Sequence, residues 1–238
     1  MELTKKGDFI ELRFTGYAQG KVFDSNIEED LKNINSEAKP IKTIIVIGQK
    51  MVVSGLDREL EGKEIEKEYE ITINSKEGFG ERNRELIKTI PLKSFTEKNI
   101  FPQAGMILNL DEMLAKIITV SGARVVTDFN NPLAGKELKY KFKIIRKVED
   151  EKEKIESFFG FFFRFVPQFE ITEKKVKVKG PKPLEEIVKL FKDKFKELLN
   201  KDLDFELLEE KKKEENKNEN NAEKKNEEKN SETVDKKI

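Results

Sequence analysis

The 238-residue chain has no cysteine, no histidine and no tryptophan. Without cysteine there is no disulfide, no thiolate metal site and no cysteine nucleophile. Without histidine the commonest general base and the commonest metal ligand are both missing. A Ser-His-Asp triad is excluded, and the composition argues against a zinc enzyme. An excess of one charge sign is lacking too. There are 47 Lys and Arg against 47 Asp and Glu, so no net field draws the chain to nucleic acid or to an anionic membrane. No apolar run reaches the roughly 18 residues of a membrane helix, and Met1-Glu2-Leu3-Thr4-Lys5-Lys6-Gly7-Asp8 carries no apolar leader core. The expectation is a soluble, cytoplasmic protein with no metal and no organic cofactor. Charged residues make up 39% of the chain and glutamine is scarce, a balance that leans toward a high-temperature organism.

What is there is organised around Val46 to Gly62. An apolar strand, Ile44 to Ile47, is stopped by Gly48. The spacing then predicts a short amphipathic helix with Val52, Val53, Leu56 and Leu60 on one face, ended by Gly62 in a left-handed conformation. β-branched side chains have little rotamer freedom, so such a face makes a stiff apolar floor. Taken alone, Val52, Val53 and Leu56 read as core.

Phe9 to Tyr17 alternates apolar and polar residues as a half-buried strand. A turn at Ala18-Gln19-Gly20-Lys21 leads to a return strand, Val22-Phe23-Asp24-Ser25. Asn26 to Ala38 reads as a surface loop or a short helix. Further strands are predicted at Lys67 to Ile73 and at Leu138 to Arg146, with a turn at Glu77-Gly78-Phe79-Gly80. Antiparallel strands with one short helix make an α+β domain. Between Gly80 and Asp128 lies a small all-β unit: strands at Leu86 to Pro91 and Met106 to Leu110, then a hairpin of Met113 to Val120 with Arg124 to Thr127. Beyond Glu149 come a charged helix start, the Phe158 to Val166 run, a hairpin of Phe169 to Thr172 with Val176 to Val178, and an amphipathic helix from Leu184 to Leu199. From Glu209 onward the chain is charged and nearly free of apolar residues, and is expected to be disordered. The expected domains are 1–81 with 128–148, 82–127 as an insert, 149–208 as an α+β accessory domain, and 209–238 as a tail.

Several motifs in order carry a family resemblance. Gly7-Asp8-Phe9-Ile10-Glu11-Leu12-Arg13-Phe14-Thr15-Gly16, then Gly20-Lys21-Val22-Phe23-Asp24-Ser25, then Ile47-Gly48 with Val52-Val53-Ser54-Gly55-Leu56-Asp57, then Gly78-Phe79-Gly80, resemble the FK506-binding-protein (FKBP) class of peptidyl-prolyl cis/trans isomerases. The insertion after Gly80 and the return through Asp128-Phe129-Asn130-Asn131-Pro132-Leu133-Ala134-Gly135 resemble the SlyD-like branch, which carries a chaperone insert-in-flap domain there. The C-terminal region is similar to that of long archaeal FKBPs. The resemblance implies an FKBP-like antiparallel sheet wrapped on the short helix. It implies catalytic roles for Phe23, Asp24, Phe79 and Tyr140, and a prolyl pocket completed by Phe14, Val52, Val53, Leu56 and Leu133. Three positions depart from the pattern. Leu56 stands where the family often has Trp, Phe79 stands where it often has Tyr, and the tail lacks the His-rich metal motif of the SlyD branch.

The activity implied is rotation of prolyl bonds in unfolded or nascent polypeptides, which needs no acid, base or nucleophile. The rival is a holdase chaperone that only binds. A third reading is an assembly protein built on the Phe-rich C-terminal unit. In the insert, Met106, Leu108 and Met113, with Ile107, Leu110 and Leu114, either hold client chains or form the insert's own core. The Phe158 to Phe165 cluster packs within a C-terminal domain, or else serves as a homodimer interface or second client surface. Macrolides are candidate ligands by the same resemblance. Membrane is not expected as a partner, and zero net charge weighs against nucleic acid despite the run Glu173 to Lys179.

Overall fold

Residues 2–208 are described by the computed structural model; the tail expected to be disordered, 209–238, lies outside them. They fall into two compact units. The first is Met1–Val166 with Lys194–Asn200; the second is Pro167–Asp193 with the chain from Lys201 onward. The first unit thus runs past the change of composition at Glu149.

In chain order the first unit reads β1 (Phe9–Ala18), β2 (Lys21–Ser25), α1 (Glu28–Leu31), β3 (Thr43–Val46), α2 (Ser54–Glu59), β4 (Glu68–Ile73), β5 (Ile87–Pro91), α3 (Leu92–Thr96), β6 (Ile107–Leu110), β7 (Met113–Ser121), β8 (Arg124–Asp128), β9 (Leu138–Lys147) and α4 (Glu151–Phe162). The main sheet is antiparallel, in the order β2-β1-β9-β4, and β3 also pairs with β1. Along one edge β1 meets β9 from Ile10↔Lys147 to Ala18↔Leu138. On the other, Phe9 to Leu12 pair with β3 and Thr15 to Ala18 with β2. The alternation of β9 does what its sequence predicts: Leu138, Tyr140, Phe142 and Ile144 are buried while Lys139 and Lys141 are exposed. α2 lies on that buried face with Leu56 in the core beside Ile10, Leu12, Ile73 and Leu138. A side chain at Gly55 would meet Ile73 at 2.4 Å, so only glycine lets the helix come this close. The architecture is α+β, an antiparallel sheet on a short helix with further elements added.

The short helix differs from expectation. It begins at Ser54, so Val52 and Val53 stand on the segment entering it rather than on its face. The cause is Asp57, whose carboxylate accepts the backbone N–H groups of Gly48 and Lys50, both at 2.9 Å, and holds residues 48–50 as a turn. The helix ends at Glu59, and Gly62 follows at φ +71, its N–H bound to the Thr4 carbonyl.

The residues between Gly80 and Asp128 form a separate four-stranded antiparallel sheet, β5-β8-β7-β6. Phe95 of α3, Ile117 and Val125 are its buried centre, with Leu108 and Leu110 packed against them. α3 is a helix within a stretch expected to be all β; its role is to bring Phe95 over the sheet. The neck of this sheet is polar. Arg82 pairs with the buried Asp128. Asn130 bonds both the N–H and the carbonyl of Asn83, at 2.8 and 2.9 Å.

The charged start of α4 is capped by Asp150, which accepts the Glu153 N–H at 2.8 Å. Ile155, Phe158 and Phe159 form its buried stripe, and Phe195 meets Phe158 edge to face at 5.0 Å and stacks on Phe159 at 5.9 Å. The aromatic run is therefore mostly packed inside the first unit, with Phe165 exposed.

The second unit holds β10 (Gln168–Ile171), β11 (Lys175–Gly180), most of α5 (Pro183–Leu199) and β12 (Asp202–Leu207). β10 and β11 are the expected hairpin. β12 was not expected, although Leu203, Phe205 and Leu207 alternate; it pairs parallel to β11 after the α5 crossover. Among the described residues no helix is long and apolar enough to cross a membrane.

Candidate active site

Strand register lines up three residues across the sheet. Gly16 of β1 sits between Asp24 of β2 and Tyr140 of β9. A side chain at Gly16 would stand 2.8 Å from the Phe23 ring and 3.0 Å from the Tyr140 ring. Its absence lets the two rings converge edge to face, centroids 5.8 Å apart at 84°. Phe79, from the turn after β4, meets Phe23 edge to face at 5.8 Å and 81°. Phe14 of β1 approaches Tyr140 at 6.2 Å. Such arrangements favour aromatic rings electrostatically. Phe79, though between two glycines, is half-buried because Phe23 covers it.

Phe14, Phe79 and Tyr140 border a groove of about 800 Å³, while Phe23 packs against the last two without lining it. Its floor is Met51, Val52, Val53 and Leu56, with Phe14, Tyr140 and Phe79 on the walls and Asp24 at the rim. Met51 was not singled out by sequence; it packs in beside the two valines because the Asp57-held turn carries it there. Leu133 packs on the same core but is not part of the groove lining. Its loop is tied down by an Asn131 turn and by the Gly135 N–H to the Gly80 carbonyl, each at 2.8 Å. Of the insert residues, Met106 and Met113 stand exposed on the insert and Leu108 packs into its core. None of the three lines the groove.

At the aromatic end of the groove the one acid is Asp24. Partial burial raises the Asp24 pKa, offset in part by a backbone hydrogen bond from Ser25. The residue as a whole remains exposed, which keeps the effect modest. Burial, with the Asp24 charge nearby, pushes the Tyr140 phenol far up, so it stays protonated. Among the described residues no group of three or more acidic side chains converges to hold a metal. What the arrangement can do is surround a compact apolar group with rings and aliphatic side chains and present the Tyr140 hydroxyl and the Asp24 carboxyl to it.

The groove extends beyond the sequence-derived candidates. Residues 41–45, leading into and along β3, line it, as do Glu153, Glu156, Ser157, Gly160 and Phe161 of α4. No periodicity in the sequence says on which surface α4 docks.

Two family models match the chain. A family model described as FKBP-type peptidyl-prolyl cis-trans isomerase matches residues 2–95, and one described as FKBP26, IF domain, matches residues 88–133. The chain is similar to a short-type peptidyl-prolyl cis-trans isomerase of Methanocaldococcus jannaschii, 36% identical over 60% of this chain and 94% of that protein. It is also similar to the FKBP-type peptidyl-prolyl cis-trans isomerase SlyD of Helicobacter pylori, 26% identical over 64% of this chain and 79% of that one. The SlyD of Vibrio cholerae is 30% identical over 41% of this chain and 50% of its own length.

Proposed function

The chain belongs to the FKBP-type peptidyl-prolyl cis-trans isomerases, and from that premise we propose that the aromatic groove binds the proline of an unfolded or nascent client and lowers the barrier to rotation about the bond before it. That barrier, about 18–20 kcal/mol, comes from amide resonance lost as the C–N bond twists. The planar amide is the more charge-separated form. A groove walled by Phe14, Phe79, Val52, Val53 and Leu56 solvates it poorly and favours the twisted amide, which is differential binding of the transition state. Prolyl bonds suit the reaction because their isomers differ by only about 0.5–1 kcal/mol. No proton is transferred. Phe23 supports Tyr140 and Phe79 edge-on, the protonated Tyr140 hydroxyl donates to substrate, and Asp24 holds a polar contact at the rim.

The observation that carries this reading is the convergence of Phe23, Phe79 and Tyr140 above an aliphatic floor. A protease-free assay on a proline-limited refolding protein tests it. The wild-type chain should speed refolding catalytically, and a Phe23→Ala, Asp24→Ala double variant that keeps its fold should not. Equal rates for the two would rule the groove out as the active site.

The chaperone part of the proposal concerns 82–127. Its support is Met106, Ile107, Met113 and Leu114, all exposed on one small sheet, where flexible and aliphatic side chains suit varied clients. Held there, a client's prolyl bonds are at raised local concentration for the groove. A cytoplasmic location is part of the same proposal, supported by the cysteine-free composition. So are macrolide binding in the groove, tested by competition with peptide, and self-association through the C-terminal region, tested by concentration-dependent sedimentation.

A further inference from the structure

The far wall of the groove is one stripe of α4. Glu153, Glu156, Ser157, Gly160, Phe161 and, past the helix end, Arg164 all line it. Their spacing is that of a single helix face, next to the face that buries Ile155, Phe158 and Phe159. The wall is anchored. Glu153 binds Lys42 at 2.6 Å and Arg146 at 2.7 Å, and Arg146 reaches Glu11 of β1 at 2.9 Å. Arg164 lies over the Phe161 ring at 5.4 Å.

Gly160 has no structural reason to be glycine. After proline it is the poorest residue for a helix interior. Close approach explains Gly16 and Gly55, where a side chain would collide at 2.8 and 2.4 Å, but one at Gly160 would meet nothing within 4 Å. Its backbone is not left-handed either. The helix keeps its weakest residue at an exposed point that borders the groove. That groove, at about 800 Å³, is near the top of the roughly 300–1,000 Å³ range of drug-sized sites and larger than a proline ring requires.

Resting on the reading of the groove as the prolyl site, we propose that α4 is a second wall for the client chain and that Gly160 is a specificity-determining position. Its missing side chain leaves a notch, bordered by Phe161 with Ile41 and Ile44 in the same lining, that takes a bulky apolar side chain of the client at a position not adjacent to the proline. The C-terminal part of the first unit then selects the sequence around the prolyl bond.

The test uses the full chain and its Gly160→Ala and Gly160→Leu variants. The substrates are N-acetyl-Ala-Pro amide and decapeptides with one proline and a single Phe moved along an Ala/Ser background, read by NMR exchange. In the wild type, Phe at one distal position should raise kcat/KM at least fivefold. Gly160→Leu should abolish that gain and change the minimal amide far less, since that substrate ends short of the notch. Both variants should melt at or above the wild-type temperature, since each side chain enters open space on a better helix former. Where the minimal amide turns over, no distal gain, or a gain that survives Gly160→Leu, overturns the proposal. So does equal loss on both substrates. Shift mapping with the preferred decapeptide separates the two readings. Shifts at Gly160 and Phe161 without turnover keep the notch and sink the isomerase site. Turnover with no shift along α4 overturns the notch.

Discussion

At Phe23 two edge-to-face contacts meet, one to Tyr140 and one to Phe79. Each such pair contributes about 0.5–1.5 kcal/mol beyond burial. Phe23→Ala frees both rings to move, and kcat/KM on a proline tetrapeptide should fall by roughly 10- to 100-fold, at about 1.4 kcal/mol per tenfold. The two lost contacts, together about 1–3 kcal/mol, should lower thermal melting by several degrees while the core around Leu56 keeps the protein folded. The pH profile belongs to this scale too. No proton moves in the reaction, and burial removes Tyr140 from the accessible range. Turnover should be flat through neutral and mildly alkaline pH. Asp24, raised by burial, should give one inflection on the acid side, and Asp24→Asn should remove it. For stability the sign is the reverse of an ion-paired acid. A raised pKa favours the folded form where Asp24 is protonated, and that gain fades as pH rises through the folded value.

Elements position these residues through buried carboxylates. Asp57 converts residues 48–50 into the turn that delivers Met51, Val52 and Val53 to the groove. Hydrogen bonds to a charged acceptor contribute about 1.5–3 kcal/mol each, so Asp57→Ala, which removes two, should lose about 3–6 kcal/mol in denaturant unfolding. It should also weaken peptide binding, visible as a higher KM. Asp128 does the equivalent at the neck of the insert. Burial pushes its pKa up, but hydrogen bonds from the Asn130 backbone and side chain and from Arg82 outweigh that, and the net direction is down. Its contribution is present above the ordinary Asp value of about 3.9 and is lost as pH falls through the lower folded value. Asp128→Ala should cost about 1–3 kcal/mol and speed hydrogen exchange in β5 and β8 ahead of β1 and β9. Uniform protection in the variant would show that the neck is not held by this group.

For the whole molecule, separate cores imply separable tasks. The insert sheet has its own centre in Phe95, Ile117 and Val125, and the groove draws no residue from 82–127. Removing 82–127 and bridging Glu81 to Asp128 should keep tetrapeptide turnover within about threefold. Proline-limited refolding should fall at least tenfold. Parallel loss of both would mean that the insert supports the groove rather than the client.

Alternation and turn chemistry made the α+β class, the main strands, the insert hairpin and the α5 stripe readable from residues alone, because side-chain period is a local property of the backbone. The ordered motifs from Gly7 to Gly80 carried the family for the same reason, as does the short-range pairing of Phe23 with Asp24. Three things were decided only by tertiary structure. Asp57 moved the start of α2 past Val52 and Val53, a hydrogen-bond choice between a turn and a helix that no propensity ranks. β12 became a strand because β11 offered it an edge. α4 became a wall of the groove, with Gly160 facing open space, because Phe158 and Phe159 found Phe195 and Glu153 found Lys42 and Arg146. Contacts between segments so distant in the chain leave no period in the sequence; they exist only once the surfaces meet.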